Sequence, residues 1–258
     1  MLNFIGDMLN WAIAGIMFPI LFAPLTLLKH SEKHATKLWA AIVLGVVTSA
    51  LLFAYFVPIL SLTANTRQLF VFFGCLTLLT IVIASMGGVI KFVDRLAPFI
   101  EKFVRKTGHT VMWLLIVMAL VQFGIVVLRY VFGINKIYMQ ESITYMHGTV
   151  FLLAGGYALL TNDHVRVDIF YGEASEKRKA LIDFLGTYFL LFPVCLLLLW
   201  TASPYVGNSW AVNEGSPQSS GIQGIYLLKS LIPMFALLMI MAGFTIASRA
   251  ANILRGQE

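Results

Sequence analysis

Polar and apolar positions along this chain alternate in long blocks, not at the short period of a half-buried strand or a surface helix. Windows free of Asp, Glu, Lys and Arg cover 8–28, 38–66, 68–90, 107–128, 142–162, 184–213 and 230–248, the shortest being 19 residues. A helix needs about 20 apolar residues to cross a bilayer core. These runs are apolar all round, whereas strands of a membrane barrel show alternating polarity over stretches of about ten residues. Backbone groups in lipid must pair within their own segment, so runs of this length form helices. The pattern predicts an all-α polytopic membrane protein with about seven transmembrane helices. The first is expected to be retained, because "MLNFIGDMLNWAIAGIM" lacks a positive leading stretch and carries Asp7 where a signal peptide has Lys or Arg.

Composition points the same way. Of 258 residues, 59% are apolar and 12% charged, against about 25% charged in a soluble domain, so the chain could not cover itself with polar surface. The net charge of +6 reads as an orientation signal, with no nucleic-acid partner implied. Assigning loops alternately puts 14 Lys and Arg on one side of the membrane and 4 on the other. The positive-inside rule then predicts a periplasmic N-terminus and a cytoplasmic C-terminus. Tyr130, Tyr138, Tyr205, Trp210 and Tyr226 fall near the expected outer interface, where amphipathic rings prefer to sit. Cys75 and Cys195 lie inside apolar windows without metal-ligand spacing and read as small buried hydrophobes.

Two polar stretches change this picture. In "KFVDRLAPFIEKFVRK", residues 91–106, Phe92, Leu96, Phe99 and Phe103 recur at helical spacing among charges. That predicts a cytoplasmic helix on the membrane surface, kinked or split at Pro98; the alternative is a charged helix end extending past the bilayer. "GEASEKRKALIDFLG" leads amphipathically into the sixth span. The expected organisation is a three-helix extension over 1–90, a surface helix or linker over 91–106, and a four-helix domain over 107–258.

Candidate chemistry is sparse. No Ser/His/Asp set, HExxH motif, phosphate loop or paired carboxylate falls within the spans, so no enzyme is expected. His109 and His147 fall at different depths, His147 about 10–15 Å in from the outer face at 1.5 Å per residue, so they cannot share a haem. No cofactor is expected, and His147 reads as a core histidine hydrogen-bonded to a neighbour. A transporter acting alone should gather polar groups at midspan. Here Gln122 and His147 stand nearly alone, which suggests a structural partner of another protein. A homo-oligomeric channel or carrier, or an accessory subunit of a membrane redox enzyme, are the other classes.

Arg129 ends the fourth predicted span and Glu141 begins the fifth, with Gly133 and Asn135 supplying the turn. So short a connection forces a hairpin and brings both charges to similar depth. An Arg at the centre of a bilayer costs about 2.5–3.5 kcal/mol; at the end its stem can snorkel. The two charges either pair, fixing the hairpin or offering a polar contact to a partner subunit, or stand separately at the interface. Thr144, Gly148 and Gly155, with Ala154 and Gly156 beside them, form a small-residue packing face, internal or between subunits. "TNDHVRVDIF" gathers Asp163, His164, Arg166 and Asp168 in the next loop.

From about Val111 to Ala250 the chain resembles the small membrane subunit (DctQ-like) of tripartite ATP-independent periplasmic (TRAP) transporters. "VVLRYVFG", Glu141 and "GGYALLTNDHVRVDIF" carry the resemblance, in that order and spacing. It implies a bacterial inner-membrane complex with a large multi-span subunit and a periplasmic substrate-binding protein. The large subunit of such a complex holds the sodium and substrate sites, and the small one braces it. Symport of small organic acids with sodium is the implied activity. Arg129, Glu141, Gly148, Gly155, Asp163, His164, Arg166 and Asp168 are then expected in structural or partner contacts, with membrane lipid around the rest. Residues 1–90 add three spans to the usual four. The further acidic residue usual beside Glu141 is absent, since Gln140 and Ser142 stand there.

Overall fold

The fold is that of a computed structural model, which describes residues 2–29, 31–56, 66–164 and 171–256. Its described residues form helices α1 (Leu2–Thr26), α2 (Glu32–Phe56), α3 (Thr66–Ser85), α4 (Val89–Tyr130), α5 (Ile137–Thr161), α6 (Glu176–Gly186), α7 (Phe192–Ala211) and α8 (Ile225–Arg255). A π-helical turn, Thr187–Leu191, joins α6 to α7. The chain is an all-α polytopic membrane protein. Among the described residues, five helical stretches are long and apolar enough to cross a membrane, and shorter apolar helices cover Gly15–Thr26 and Val71–Ser85 within α1 and α3.

Two compact units divide the chain, one of residues 1–97 with 248–258 and the other of residues 98–247. In the first, α1 packs on α2 and α3. Gly15 permits this: a Cβ there would lie 2.7 Å from the carbonyl oxygen of Phe72. Leu21, Ala23, Leu27, Phe72 and Leu79 are buried in this unit. Gly87 and Gly88, both at positive φ, turn the chain from α3 into α4. The Ile90 amide donates to Glu32 Oε1 at 3.3 Å, which satisfies one of the free N–H groups at the start of α4. A side chain at Gly88 would overlap that carboxylate.

Residues 91–106 are helical, but they are not a separate element. They run without interruption into the span as the first part of the 42-residue α4. At 1.5 Å per residue α4 is about 63 Å long, roughly twice a bilayer core of about 30 Å. Pro98 sits inside it. The proline removes one amide bond to Asp94, and Asp94 is exposed, so the loss is borne without ending the helix. The expected apolar face is also divided: Phe92 is buried while Phe99 and Phe103 are exposed.

The second unit takes in α4 from Pro98 onward, α5, α6, α7 and α8 as far as Ala247. A Cβ on Gly108 of α4 would run into Cβ and Cγ of Tyr157 of α5, and the His109 ring meets Tyr157 edge-on at 5.1 Å. Where α6 meets α7, Pro193 has no N–H to continue the ladder. The Phe192 amide bonds back to the Thr187 carbonyl, a five-residue step that widens the turn. Gly243 of α8 lies against it, since a Cβ there would meet Leu191 Cδ2 at 2.6 Å. Cys195 is buried as expected and Cys75 is half-buried.

Candidate functional site

Glu141 is the centre of the polar structure in the second unit. It lies one turn into α5, and its two carboxylate oxygens serve different partners. Oε1 accepts the Ser216 hydroxyl, and Oε2 accepts the Ile222 backbone amide at 2.6 Å. Ser216 Oγ in turn accepts the Gln218 amide at 3.1 Å. All three bonds fix the segment 212–224 between α7 and α8. Within it Gly221 N–H donates to Gln218 O at 3.0 Å and Ser216 N–H to Ile222 O at 3.2 Å, closing a tight turn. Gly221 is needed there, because a Cβ would lie 2.6 Å from Glu141 Oε1.

A second anchor holds the same loop. Lys229, in the first turns of α8, pairs with Glu214 and stands 4.1 Å over the Tyr205 ring of α7, a cation–π contact. Trp210 Nε1 donates to Ser230 Oγ at 2.8 Å, and its ring meets Tyr226 edge-on at 4.7 Å. The hydrogen bond from Lys229 holds the Glu214 carboxyl below the usual carboxylate range. A depressed folded-state value stabilises above the unfolded value, and the contribution is lost as pH falls through the folded one. Protection of the 212–224 loop against proteinase K is therefore expected to decline on acidification. Glu214→Gln should lower the protection at neutral pH and flatten its decline with acid.

Arg129 does not pair with Glu141. No ion pair joins them among the described residues. Glu141 is held by the loop, and Arg129 instead lines an open cleft of about 380 Å³ with Gln122, Ile125, Gln140 and Ile143. The hairpin turn is closed by the backbone: Gly133 takes a left-handed conformation and the Ile134 amide bonds to Leu128 O at 2.9 Å. Gln140 Nε2 donates across it to Asn135 Oδ1 at 2.8 Å.

Gly148 and Gly155 lie between helices of one unit. Added Cβ atoms would meet Leu228 Cδ1 at 3.1 Å and Phe235 Cε2 at 2.8 Å, and one on Gly156 would meet the Leu238 carbonyl oxygen at 2.9 Å. The small face of α5 thus seats α8. At the far end of α5, left-handed Asn162 lets the Asp163 amide reach Ala158 O at 3.0 Å, and Thr161 donates to the Asp163 carboxylate. Asp163 is thereby a helix-end residue, and His164 is exposed. Arg166 and Asp168 lie outside the described residues.

His147 corrects the sequence reading. It is exposed on α5 and stacks on Phe151, with ring centroids 6.2 Å apart. No hydrogen bond to it occurs among the described residues. The polar residues of α5, Gln140, Glu141, Ser142, Thr144, His147 and Thr149, fall on several sides of the helix, so no periodic signal tells which face turns inward. Ser216, Ile222 and Glu214 were not singled out from sequence either. Lys229 left a trace, as a cation just inside an apolar run, where a partner is expected.

The sequence model of the family described as tripartite ATP-independent periplasmic transporters, DctQ component, matches residues 118–255. The chain belongs to this family. No curated protein and no solved structure matches it. As a DctQ component it is a small subunit of a TRAP transporter, a multi-pass protein of the inner membrane. The DctQ match takes in the end of α4, all of α5–α8, and the Glu141 and Lys229 anchors of the loop. Residues 1–117, with α1–α3 and the long lead of α4, stand outside it.

Proposed function

We propose that this DctQ component is a non-catalytic brace for the large membrane subunit of a sodium-driven TRAP transporter of small organic acids, working with a periplasmic binding protein. The observation that supports this reading is the use made of its charges. Glu141, Glu214 and Lys229 are engaged in holding a loop and two helix ends together, which is the work of a rigid scaffold. A carrier needs such groups free to bind and release its cargo. Loop 212–224 would face the periplasm, under the orientation the Lys and Arg distribution favours.

The test is recovery of the tagged chain from its own membrane in mild detergent. A stoichiometric large subunit should come with it. Sodium-driven uptake in liposomes should then need both membrane chains and the binding protein. Recovery of this chain alone as a homo-oligomer that conducts ions would replace the brace with a channel.

A further inference from the structure

Gln122, Arg129 and His147 share one property: each is exposed on the second unit, and none has a hydrogen-bond partner among the described residues. Gln122 lies about 12 Å before the end of α4 and His147 about 15 Å beyond the start of α5, at 1.5 Å per residue. With the α4–α5 turn at the membrane surface, both sit at hydrocarbon depth. Gln122 and Arg129 line the open cleft from α4, facing Gln140 and Ile143 of α5. Gln140, Thr144 and His147 follow at helical spacing along α5, so an exposed stripe leads from the cleft past His147 to Phe151; the cleft and this stripe are the α4–α5 groove.

An acyl chain offers no donor or acceptor to an amide or an imidazole. The exposed stripe from Leu190 of the π-helical turn to Val194 and Leu197 of α7 is the contrast: none of the three carries a group that needs a partner in hydrocarbon. The α4–α5 groove differs by three such groups. A phospholipid phosphate could reach Arg129 at the interface, but not Gln122 and His147 deeper in.

We propose that the α4–α5 groove is the docking site for a transmembrane helix of the large TRAP subunit, one that presents a carboxylate level with Arg129 and hydrogen-bonding side chains to Gln122 and His147. The proposal rests on the brace reading above and assigns that brace its contact surface.

Photo-cross-linking in native membranes tests it, with p-benzoylphenylalanine in place of Ile143 or His147 in the groove, or of Leu197 on α7. Adducts from both groove positions should map to one transmembrane helix of the large subunit that carries an acidic residue, and Leu197 should give none. Alongside, the triple variant Gln122→Leu, Arg129→Leu, His147→Leu is more lipophilic and should insert as well as the wild type. It should recover at least tenfold less large subunit while keeping its 212–224 loop as protease-resistant as before. Groove adducts to lipid alone, adducts to the large subunit from Leu197 alone, or full retention by the triple variant would each overturn the proposal. A wild-type chain that brings down no large subunit would fail the brace reading itself, and the docking site with it.

Discussion

Replacing Glu141 by Ala is expected to destabilise the chain by about 3 kcal/mol and to open the 212–224 loop to proteolysis. Hydrogen bonds to a charged group contribute about 1.5–3 kcal/mol each. Glu141 makes two, to the Ser216 hydroxyl and the Ile222 amide. Its loss leaves a backbone N–H without an acceptor in a half-buried place, and it frees Ser216, which itself holds Gln218. Glu141→Gln keeps one acceptor oxygen and should cost about half as much. Unfolding in mixed detergent micelles, followed through Trp210 beside the loop, would measure both. The same series decides between loop anchor and ion pair. Arg129→Gln should change stability by less than about 0.5 kcal/mol, and its coupling to Glu141→Ala should stay within the scatter of independent sites, about 0.5 kcal/mol. A coupling well above that would restore the Arg129–Glu141 pair.

Gly156→Ala should be the most damaging single methyl added to α5, at about 2 kcal/mol, while Gly148→Ala should be close to neutral. Two effects of opposite sign compete. Ala in place of a helical Gly gains roughly 0.5–1 kcal/mol, and overpacking loses about 1–3 kcal/mol. At Gly156 the new Cβ would lie 2.9 Å from the Leu238 carbonyl oxygen and 3.1 Å from its carbon. Those are backbone atoms of α8 and cannot rotate away, so the two helices must separate and overpacking wins. At Gly148 the nearest atom is a Leu228 methyl at 3.1 Å, which can turn aside, and the propensity gain offsets the contact. Gly108→Ala belongs with Gly156, because it strikes Cβ of Tyr157, the atom nearest the α5 backbone. Unfolding midpoints of the three variants should rank accordingly; equal effects at 148 and 156 would mean that α5 and α8 do not meet as closely as described.

What could be read from sequence here follows from the strength of each signal. Long uncharged windows are unambiguous about solvent, so helical spans in lipid were legible without coordinates. The order and spacing of "VVLRYVFG", Glu141 and "GGYALLTNDHVRVDIF" likewise carried the family, and the family model's match over residues 118–255 agrees. The hairpin and the small face of α5 were legible because both are local: a short turn forces antiparallel helices, and small residues at helical spacing lie on one side. Long-range partners were not legible. Glu141 lies 75 residues from Ser216 and 81 from Ile222, and no periodicity links positions so far apart. Their meeting depends on how α7 and α8 bring the loop back over α5. The outward position of His147 was not legible for a related reason, since polar residues on several sides of a helix do not say which way it faces.

Solvent and secondary structure were thus determined by the sequence alone, because they follow from the transfer of each short segment from water to lipid and from the need of its backbone to bond with itself. Which helix the glycines of α5 receive, which amide Glu141 holds, and whether Arg129 and His147 point inward or outward were decided only by the tertiary structure. Those outcomes rest on steric fit and hydrogen-bond direction between segments distant in the chain, and in lipid no difference in hydrophobicity between neighbours tells them which to choose.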